Sequence, residues 1–364
     1  MQAALLESAG APMVLRDDVE IAEPGPLQVQ VRVAYCGVCH SDLTVAQGGL
    51  APMPVVLGHE ATGVVERVGE GVTLLAPGDP VVLTPIAPCG RCYWCVRGEP
   101  GVCVNASSIA TATFTDGTTG LSRGGAPVYR GLAVGAFAEY VLTSETGAIK
   151  VPADVPLDIA CVLGCAVQTG VGAVLNTARV EPGATVLVLG LGGIGLSVVQ
   201  GARVAGAAQI IASDPVAQRR ATAERFGATT TIDPTNEDVV AATMALTEVG
   251  ADYAFEAAGR AALVNVGLDA TRAGGTTVCV GAPPIDENIT IAPAVLFTAQ
   301  EKKLLGCLLG SSNSLLEVPR LLSLWRAGRL DLEALITTRR PLSEINEAFD
   351  DLAAARGVRT VISL

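Results

Sequence analysis

The stretch Val186-Leu-Val-Leu-Gly190-Leu-Gly192-Gly-Ile-Gly195 decides the fold of one half of this 364-residue chain. Its apolar start predicts a buried strand, and the G-x-G-x-x-G spacing predicts a tight turn that opens a helix. The glycines permit the turn, a close approach of a pyrophosphate to the backbone and close packing of helix on strand. The helix N-terminus adds N–H groups that favour an anion. The candidate contacts are Gly190, Gly192, Gly193, Ile194 and Gly195.

A second strand, Gln209 to Ala212, leads into Asp214, which lies 19 residues after Gly195. An acid at this distance is expected to bind the adenosine ribose of a dinucleotide. A carboxylate accepts hydrogen bonds from ribose hydroxyls and repels a 2′-phosphate, so the sequence favours NAD over NADP. Arg219 follows closely and is either a cofactor contact or part of a solvated helix face. The alternative for the whole motif is a glycine-rich turn beside an unrelated surface Asp.

The pattern of apolar and turn-forming residues changes near residue 170. Before it, short apolar runs broken by Gly, Pro and Asp predict a β-rich lobe with many turns. From residue 184 onward, strands alternate with helical patterns such as Pro215 to Phe226, which predicts a doubly wound parallel sheet. We therefore expect an α/β protein whose nucleotide-binding domain spans 167–304 and whose other domain combines 1–166 with 305–364.

Composition excludes several classes of protein. The chain carries 24 Lys and Arg against 36 Asp and Glu, a net charge of -12, so no basic face for nucleic acid is expected. The apolar stretches 159–175 and 184–199 are shorter than the roughly 20 residues of a membrane-spanning helix. The N-terminus has no secretory signal pattern, so we expect a cytoplasmic protein. In that compartment ten cysteines indicate metal binding or chemistry more often than disulfides.

Four cysteines are clustered with the spacing C-x2-C-x2-C-x7-C. Such a cluster, in a turn-rich segment, can complete a tetrahedral zinc shell with no open position, which is typical of a structural site. An iron–sulfur cluster or two disulfides are the alternatives. The candidate ligands are Cys89, Cys92, Cys95 and Cys103.

A second group of metal-ligand residues is scattered along the chain. Cys39 stands in Cys36-Gly-Val-Cys-His-Ser-Asp, His59 in Gly-His-Glu, and Cys165 follows Gly164. Two cysteines and one histidine that converge on zinc would leave a fourth position open, as in a catalytic site. Spacing alone leaves alternatives: a C-x-x-C redox pair, a buried structural cysteine and a core histidine.

Taken together, these motifs resemble the zinc-dependent medium-chain alcohol dehydrogenase family over nearly the whole chain. The resemblance includes the ending Val358-Arg-Thr360 and a segment from Phe114 to Tyr140 like the longer insertion of the class I and class III branches. It implies a GroES-like catalytic domain, a Rossmann domain, NAD, and two zinc ions per chain.

The resemblance also implies roles for single residues. Cys39, His59 and Cys165 match the catalytic zinc ligands. Ser41 matches the hydroxyl that takes the alcohol proton, and Asp42 matches the carboxylate that orients the ligand histidine.

Four further residues match positions around the zinc and the cofactor. Glu60 matches a carboxylate that can approach the zinc. His40 and Arg359 match contacts to the cofactor phosphates, and Thr169 matches a residue beside the nicotinamide. By the same comparison, the remaining cysteines match no ligand position and are interpreted as packing residues: Cys36, Cys161, Cys279 and Cys307.

The implied reaction is reversible hydride transfer between a primary alcohol, aliphatic or aromatic, and NAD. Zinc would lower the pKa of the alcohol, and Ser41 would pass its proton toward the nicotinamide ribose. One position departs from many animal relatives: Thr44 stands where a histidine ends their proton relay, and both histidines of this chain already match other roles. We therefore expect turnover to depend weakly on a group that titrates near pH 7.

Other functions stay open on the sequence. A mycothiol- or glutathione-dependent formaldehyde dehydrogenase would need a basic pocket residue, which the sequence does not identify. A non-catalytic zinc- and dinucleotide-binding protein would be expected to lack an open-shell ligand. We expect a small alcohol or aldehyde as the partner, no nucleic acid or membrane, and a homodimer, with a homotetramer as the alternative.

Overall fold

Short strands rich in β-branched residues recur along the chain before residue 151. The computed structural model describes residues 1–48, 51–291 and 293–364. The strands of this part are β1 (Ala3–Leu6), β2 (Val14–Arg16), β3 (Glu20–Ile21), β4 (Gln28–Gly37), β5 (Val55–Val56), β6 (Glu60–Val68), β7 (Pro80–Leu83), β8 (Leu121–Arg123), β9 (Ala126–Arg130), β10 (Tyr140–Ser144) and β11 (Ala148–Lys150).

Six parallel strands follow, each preceded by helix or turn. They are β12 (Thr185–Leu189), β13 (Gln209–Ser213), β14 (Thr230–Ile232), β15 (Ala251–Glu256), β16 (Thr271–Cys279) and β17 (Lys303–Gly306). Their order in the sheet is β14-β13-β12-β15-β16-β17. The sheet grows outward from β12 in both directions, which confirms the predicted doubly wound arrangement and puts its switch point between β12 and β15.

The last two strands are β18 (Ile336–Pro341) and β19 (Arg359–Ser363). The helices are α1 (His40–Ala46), α2 (Tyr93–Val96), α3 (Ser108–Thr111), α4 (Leu157–Ala160), α5 (Ala166–Gly172), α6 (Gly193–Ala205), α7 (Ala217–Phe226), α8 (Val239–Thr247), α9 (Ala261–Ala270), α10 (Ala294–Ala299), α11 (Ser314–Arg326) and α12 (Ile345–Ala353). A π-helix, Ala173–Ala178, directly follows α5.

The chain divides into two compact units. The first contains Met1–Ala166, Asn313–Trp325 and Leu332–Leu364, and the second contains Val167–Ser312 and Arg326–Asp331. β17 pairs in parallel with β16, so the boundary expected from the sequence at residue 304 falls inside a strand of the second unit. The chain leaves that sheet only after β17, which is the edge strand of the sheet.

In the first unit, one sheet brings the end of the chain to its beginning. Its order is β11-β7-β6-β4-β19-β18, with β10 also paired to β4. β19 runs antiparallel to β4 with Val361 opposite Gly37. On β4, Val31 and Val33 are buried whereas Arg32 is exposed, as expected for a strand with one face in the core. This pairing carries Arg359 to the segment around Cys39.

Two apolar helical segments, Leu157–Gly164 and Ala166–Ala178, would together satisfy the length and composition of a membrane span, but they are bent by 51° relative to each other. Within the described ranges, no single helix is long and apolar enough to cross a membrane.

Candidate metal centres and dinucleotide-binding loop

Three scattered residues meet in the first unit. Cys39 immediately precedes α1, His59 immediately precedes β6, and Cys165 stands just before α5. Their donor atoms all lie within 4.8 Å of one another, and all three residues are buried. The geometry therefore groups Cys39 with His59 and Cys165, in a cluster that could hold a metal ion.

The cluster has the dimensions of a tetrahedral zinc site. With Zn–N near 2.0 Å and Zn–S near 2.3 Å, a tetrahedral angle places nitrogen and sulfur about 3.6 Å apart. The observed distance from His59 Nε2 to Cys165 Sγ is 3.3 Å. Three such donors leave one coordination position for water or substrate, which is the pattern of catalytic zinc sites.

Asp42 orients the histidine of this cluster. Its carboxylate is completely buried. Oδ1 accepts the N–H of Gly58 at 2.9 Å and lies 3.2 Å from Nδ1 of His59. Oδ2 accepts the N–H of Cys39 at 3.2 Å. One side chain thus fixes the backbone on both sides of the cluster and keeps the proton of His59 on Nδ1, which leaves Nε2 for a metal.

The electrostatics of the cluster favour a thiolate at Cys39, whereas the hydrogen bond to Cys39 and burial raise the pKa of Cys165. The Cys165 thiol, as a hydrogen-bond donor, lowers the pKa of Cys39 well below its usual value, and the nearby His59 acts in the same direction. Burial disfavours a charged His59, but the Asp42 carboxylate and the Cys39 thiolate more than offset it, so the pKa of His59 is raised. A thiolate is the form of cysteine that binds metals.

Glu60 and Arg359 form a buried ion pair beside the cluster. Arg359 Nε lies 3.2 Å from Glu60 Oε2, without forming a hydrogen bond to that oxygen. Arg359 Nη1 donates to the carbonyl of Val38 at 2.7 Å, and the N–H of Ala166 donates to Glu60 Oε1 at 2.7 Å. Burial raises the pKa of Glu60 to about 7, although Arg359 opposes the shift.

Gly37 makes room for this carboxylate. A Cβ at Gly37 would lie 2.3 Å from Glu60 Oε2, so any side chain there would displace it. Sequence reasoning did not identify this requirement, nor the pairing of Arg359 with Glu60. Neither can be read from a short segment of sequence, because Gly37, Glu60 and Arg359 lie on three different strands. The two partners of the ion pair are separated by 299 residues.

The residues of α1 differ in their relation to the cluster. Ser41 is half-buried, with Oγ 3.8 Å from Cys39 Sγ. His40 is exposed. Thr44 Oγ1 donates to the carbonyl of His40 at 3.1 Å, so its hydroxyl proton is held by the helix backbone.

The four clustered cysteines form a second candidate metal centre. The sulfur atoms of Cys89, Cys92, Cys95 and Cys103 all lie within 4.8 Å of one another. Cys92 Sγ and Cys103 Sγ are 3.9 Å apart. Two sulfurs bound to one tetrahedral zinc are expected about 3.8 Å apart. Backbone N–H groups of Val104 and Cys95 lower the pKa of Cys92 to about 6. With four thiol donors, no coordination position is left open.

The other four cysteines lie outside both centres. Cys36 and Cys161 are completely buried, whereas Cys279 and Cys307 are half-buried. None of the ten cysteines, all of which lie in the described ranges, forms a disulfide.

The glycine-rich loop connects β12 to α6 in the second unit. Gly190 has φ +90°, which favours glycine, and a Cβ there would lie 2.7 Å from that of Ala258. A Cβ on Gly195 would lie 1.8 Å from the carbonyl oxygen of Gly190. Gly192, the N-cap of α6, has open space in front of it. The helix start is therefore accessible to a phosphate.

Asp214 follows β13 and lies beside this loop. Oδ2 accepts the N–H of Leu191 at 2.8 Å, and Oδ1 accepts the N–H of Val216 at 2.8 Å. Arg219 Nη1 lies 3.9 Å from Oδ2, and only 17% of the Arg219 side chain is exposed. The alternative of a solvated helix face for Arg219 is therefore wrong. Each carboxylate oxygen keeps a further lone pair for a ribose hydroxyl.

Thr169 is buried on α5 in the second unit. It belongs to neither of the two metal-ligand clusters found among the described residues. Its role beside the nicotinamide stays a prediction from the resemblance.

Two family models match the chain. The alcohol dehydrogenase GroES-like domain matches residues 25–153, and the zinc-binding dehydrogenase model matches residues 193–324. The first match lies within the first unit, whereas the second covers most of the second unit and extends into the segment Asn313–Trp325 of the first. Together they support an oxidoreductase.

Solved structures match over the whole chain. An alcohol dehydrogenase zinc-binding domain protein from Burkholderia ambifaria is 37% identical, with a TM-score of 0.94 and coverage of 100% of this chain and 98% of that one. Benzyl alcohol dehydrogenase from Acinetobacter calcoaceticus is 32% identical, with a TM-score of 0.93 and coverage of 100% and 99%. A zinc-binding dehydrogenase from Sinorhizobium meliloti, described as bound to NADP, is 31% identical, with a TM-score of 0.82 and coverage of 100% and 99%. The chain therefore belongs to the zinc-dependent medium-chain alcohol dehydrogenase family.

Proposed function

We propose that this protein is an NAD-dependent alcohol dehydrogenase that interconverts a primary alcohol, aliphatic or aromatic, and its aldehyde. The observation that carries the proposal is the convergence of Cys39, His59 and Cys165, whose buried donor atoms lie within 4.8 Å of one another. A zinc ion held by them supplies Lewis acidity toward an alcohol or carbonyl oxygen.

The residues around the cluster have complementary tasks. Asp42 holds His59 in the tautomer that presents Nε2. Ser41, whose Oγ lies 3.8 Å from the Cys39 sulfur, would accept the proton of the alcohol. Glu60 and Arg359 place a compensated pair of charges behind the ligands, and Glu60 would contact the metal transiently.

The proton path beyond Ser41 departs from relatives that end it on a histidine. Thr44 occupies that position, and its hydroxyl already donates to the carbonyl of His40. The proton would therefore leave through the cofactor ribose or water rather than through a group that titrates near neutral pH. His40, Thr169 and Arg359 would contact the cofactor, as the family resemblance suggests.

For the cofactor itself, Asp214 supports NAD. A buried carboxylate beside the loop would bind ribose hydroxyls and repel a 2′-phosphate. The relative described as bound to NADP makes this a point to test, because Arg219 stands 3.9 Å from Asp214 and could attract that phosphate.

We further propose two zinc ions per chain, one catalytic and one structural. The structural ion would be held by the four clustered cysteines. The first unit would then be the zinc-binding catalytic domain and the second the NAD-binding domain. We also propose a reducing compartment such as the cytoplasm, because the thiolate ligands of both zinc ions must stay reduced.

The decisive experiment combines metal counting with turnover. We expect two zinc ions per purified chain and NADH formation with a panel of aliphatic and aromatic primary alcohols. An artificial electron acceptor run alongside detects turnover by cofactor that does not dissociate. Cys39→Ala should lose one zinc and almost all turnover, because it removes a ligand of the proposed catalytic ion.

Cys36→Ala is the matched control, since Cys36 is equally buried in the same segment but belongs to neither cluster. It should keep both zinc ions and its activity. Full activity in Cys39→Ala would contradict the proposal. Activity on formaldehyde that requires an added low-molecular-weight thiol would instead identify a thiol-dependent formaldehyde dehydrogenase. Zinc and dinucleotide binding without any turnover would identify a binding protein.

We also propose a homodimer. β17 is an edge strand, and apolar side chains near it in sequence are exposed, including Ile285, Val295 and Leu296. An open sheet edge with exposed apolar neighbours favours association with a second copy. Sedimentation velocity should give a dimer, and Val295→Asp should shift it toward the monomer. A tetramer, or a wild-type monomer, would contradict this assignment.

A further inference from the structure

The carboxylate of Glu256 is a buried acid for which the proposed reaction has no use. It stands at the end of β15, next to the switch point of the parallel sheet, and is 1% exposed. Burial raises its pKa, which reflects the cost of keeping a charge there. A buried carboxylate is retained where several donors satisfy it.

Those donors all belong to the turn that follows β15. Oε1 accepts the N–H of Ala258 at 2.8 Å and the N–H of Arg260 at 3.2 Å. The backbone of Gly259, between them, also acts to lower the pKa of this carboxylate. Gly259 has φ +75°, so the turn uses a conformation that favours glycine. One carboxylate is therefore hydrogen-bonded to two positions of this turn.

On its other side, the carboxylate is closed in by the segment that follows β16. Gly281 leaves the space for it, since a Cβ there would lie 2.8 Å from Glu256 Oε2 and 2.2 Å from the nitrogen of Gly259. The N–H groups of Val280 and Gly281 both donate to the backbone carbonyl of Glu256 at 2.9 Å. The acid thus has little freedom to move away from the turn.

The same turn touches the glycine-rich loop. The N–H of Ala257 donates to the carbonyl of Leu189 at 2.8 Å. A Cβ on Gly190 would lie 2.7 Å from Ala258 Cβ and 2.9 Å from its nitrogen. Ala258, fixed by Glu256, therefore forms the surface against which Gly190 packs.

In doubly wound sheets, ligands bind at the carboxyl ends of the strands that flank the switch point, here β12 and β15. Asp214 already holds the loop from the β13 side by accepting the N–H of Leu191. We propose that Glu256 is the positioning residue for the dinucleotide on the β15 side: it holds Ala258 against Gly190 and so keeps the loop in the shape that receives the pyrophosphate.

This inference rests on the proposed dinucleotide cofactor and assigns Glu256 no contact with the reacting atoms. A positioning role for Glu256 differs from general support of the fold in the ligands whose affinity it affects. A residue that positions the loop affects ligands that carry a pyrophosphate and spares those that lack one. A residue that only stabilises the domain affects the free energy of unfolding. It leaves unchanged the ratio of the affinity for ligands that carry a pyrophosphate to the affinity for ligands that lack one.

The test is displacement of NADH, followed by its fluorescence, with ADP-ribose and with adenosine. NADPH replaces NADH if it binds the wild type more tightly. Glu256→Gln removes the negative charge, so the hydrogen bonds from Ala258 and Arg260 become neutral amide bonds of about half the strength. We expect the Kd of NADH and ADP-ribose to rise about tenfold and that of adenosine to stay within about twofold. Glu287→Gln is the matched control, since Glu287 binds the next N–H, that of Ala261, at 2.7 Å but does not touch Ala258. It should leave all three affinities within about twofold.

If Glu256→Gln does not fold, Ala258→Val provides the same test, because the added methyl groups press on Gly190. Unchanged ADP-ribose affinity in a folded Glu256 or Ala258 variant would overturn the inference, and so would an equal loss for adenosine. A wild type that binds no ADP-ribose would overturn both this inference and the proposed cofactor. A wild type that binds ADP-ribose but oxidises no alcohol would overturn only the proposed function.

Discussion

The Asp42 carboxylate lies 3.2 Å from Nδ1 of His59, on the side of the ring opposite to the one that faces Cys165. The same carboxylate accepts the backbone N–H of Gly58 and of Cys39. The position of two of the three candidate ligands therefore depends on one buried side chain.

Asp42→Asn should weaken metal binding at this cluster by about 10- to 100-fold, because one carboxylate oxygen becomes an N–H2 group that must face an N–H, either that of the His59 ring or that of Cys39. Zinc transfer to a chromogenic chelator of graded strength measures the effect. The ion at the four cysteines should stay bound and serves as an internal reference. Asp158→Asn, which removes a more exposed ion pair with Arg339, is the control variant. Equal zinc affinity in Asp42→Asn and wild type would contradict the assignment.

Removing a ligand from the four-cysteine centre should affect stability rather than chemistry. Cys92→Ser is expected to lose one zinc ion and to lower the Tm by about 5 °C or more, since an incomplete thiolate shell leaves the segment 89–103 without its cross-link. Turnover per folded chain should be kept. Cys279→Ser, in a half-buried cysteine outside both centres, should change neither quantity. A variant with two zinc ions still bound would argue against a structural site here.

Thr44→His should introduce a pH dependence that the wild type lacks. An exposed imidazole titrates near pH 6.5, so hydride transfer in the variant should rise through that range by about tenfold as the ring becomes able to accept a proton. Pre-steady-state NADH formation measures it. Thr44→Gln, a polar residue that does not titrate, is the control.

A break already present in the wild type has one candidate source. Burial raises the pKa of Glu60 to about 7. If Glu60→Gln removes such a break, the titrating group is Glu60 and the proton path still ends without a histidine. A break that survives in Glu60→Gln would contradict the interpretation of Thr44.

Asp214→Asn should change the preference between the two nicotinamide cofactors. Loss of the negative charge removes the repulsion of a 2′-phosphate and leaves Arg219 beside it, so the ratio of kcat/KM for NADP to that for NAD should rise about tenfold or more. The ratio is the informative quantity, because the loss of an acceptor for Leu191 disturbs both cofactors alike. Asp233→Asn, which affects the ion pair with Arg220, is the control. An unchanged ratio would count against Asp214 as the ribose-binding acid.

An ion-pair network near the C-terminus should make the free energy of unfolding depend on pH in the acid range. Asp351 Oδ1 accepts from Arg356 at 2.8 Å, and Oδ2 accepts from Arg340 at 2.7 Å. These hydrogen bonds hold the pKa of Asp351 below its usual value of 3.8. A carboxyl whose pKa is lower in the folded state than in the unfolded state stabilises the fold at pH values above its unfolded-state pKa. This stabilisation is lost as the pH falls through its folded-state pKa.

Asp351→Asn should therefore lower the free energy of unfolding by about 1 kcal/mol at pH 7. The difference from wild type should shrink as the pH falls below 3.8 and through the lowered pKa of Asp351, because the wild-type carboxylate then becomes protonated as well. Urea unfolding at several pH values measures both. Asp350→Asn, on the same helix, is the control. A difference that is constant with pH would show that charge is not its cause.

Prediction from the sequence succeeded where the signal is local. The Gly190 to Gly195 loop follows directly from its own residues, because a strand, a turn and a helix start within ten positions leave one arrangement. The four-cysteine cluster is equally local, since fifteen residues from Cys89 to Cys103 bring all four sulfurs together. The alternation of strands and helices after residue 184 likewise indicated the parallel sheet that the structure contains.

By itself, then, the sequence determined the class of fold and the residues able to bind a metal or a dinucleotide. Spacing alone left Cys36 and Cys39 as alternatives, and the family resemblance favoured Cys39. Only the tertiary structure decided that Cys39 lies with His59 and Cys165, that Arg359 pairs with Glu60, and that Glu256 binds the N–H of Ala258 beside Gly190. The physical reason is distance along the chain. A short segment has few conformations, whereas residues on separate strands meet only where the sheets bring them together, and here that depends on the pairing of β4 with β19 and of β12 with β15.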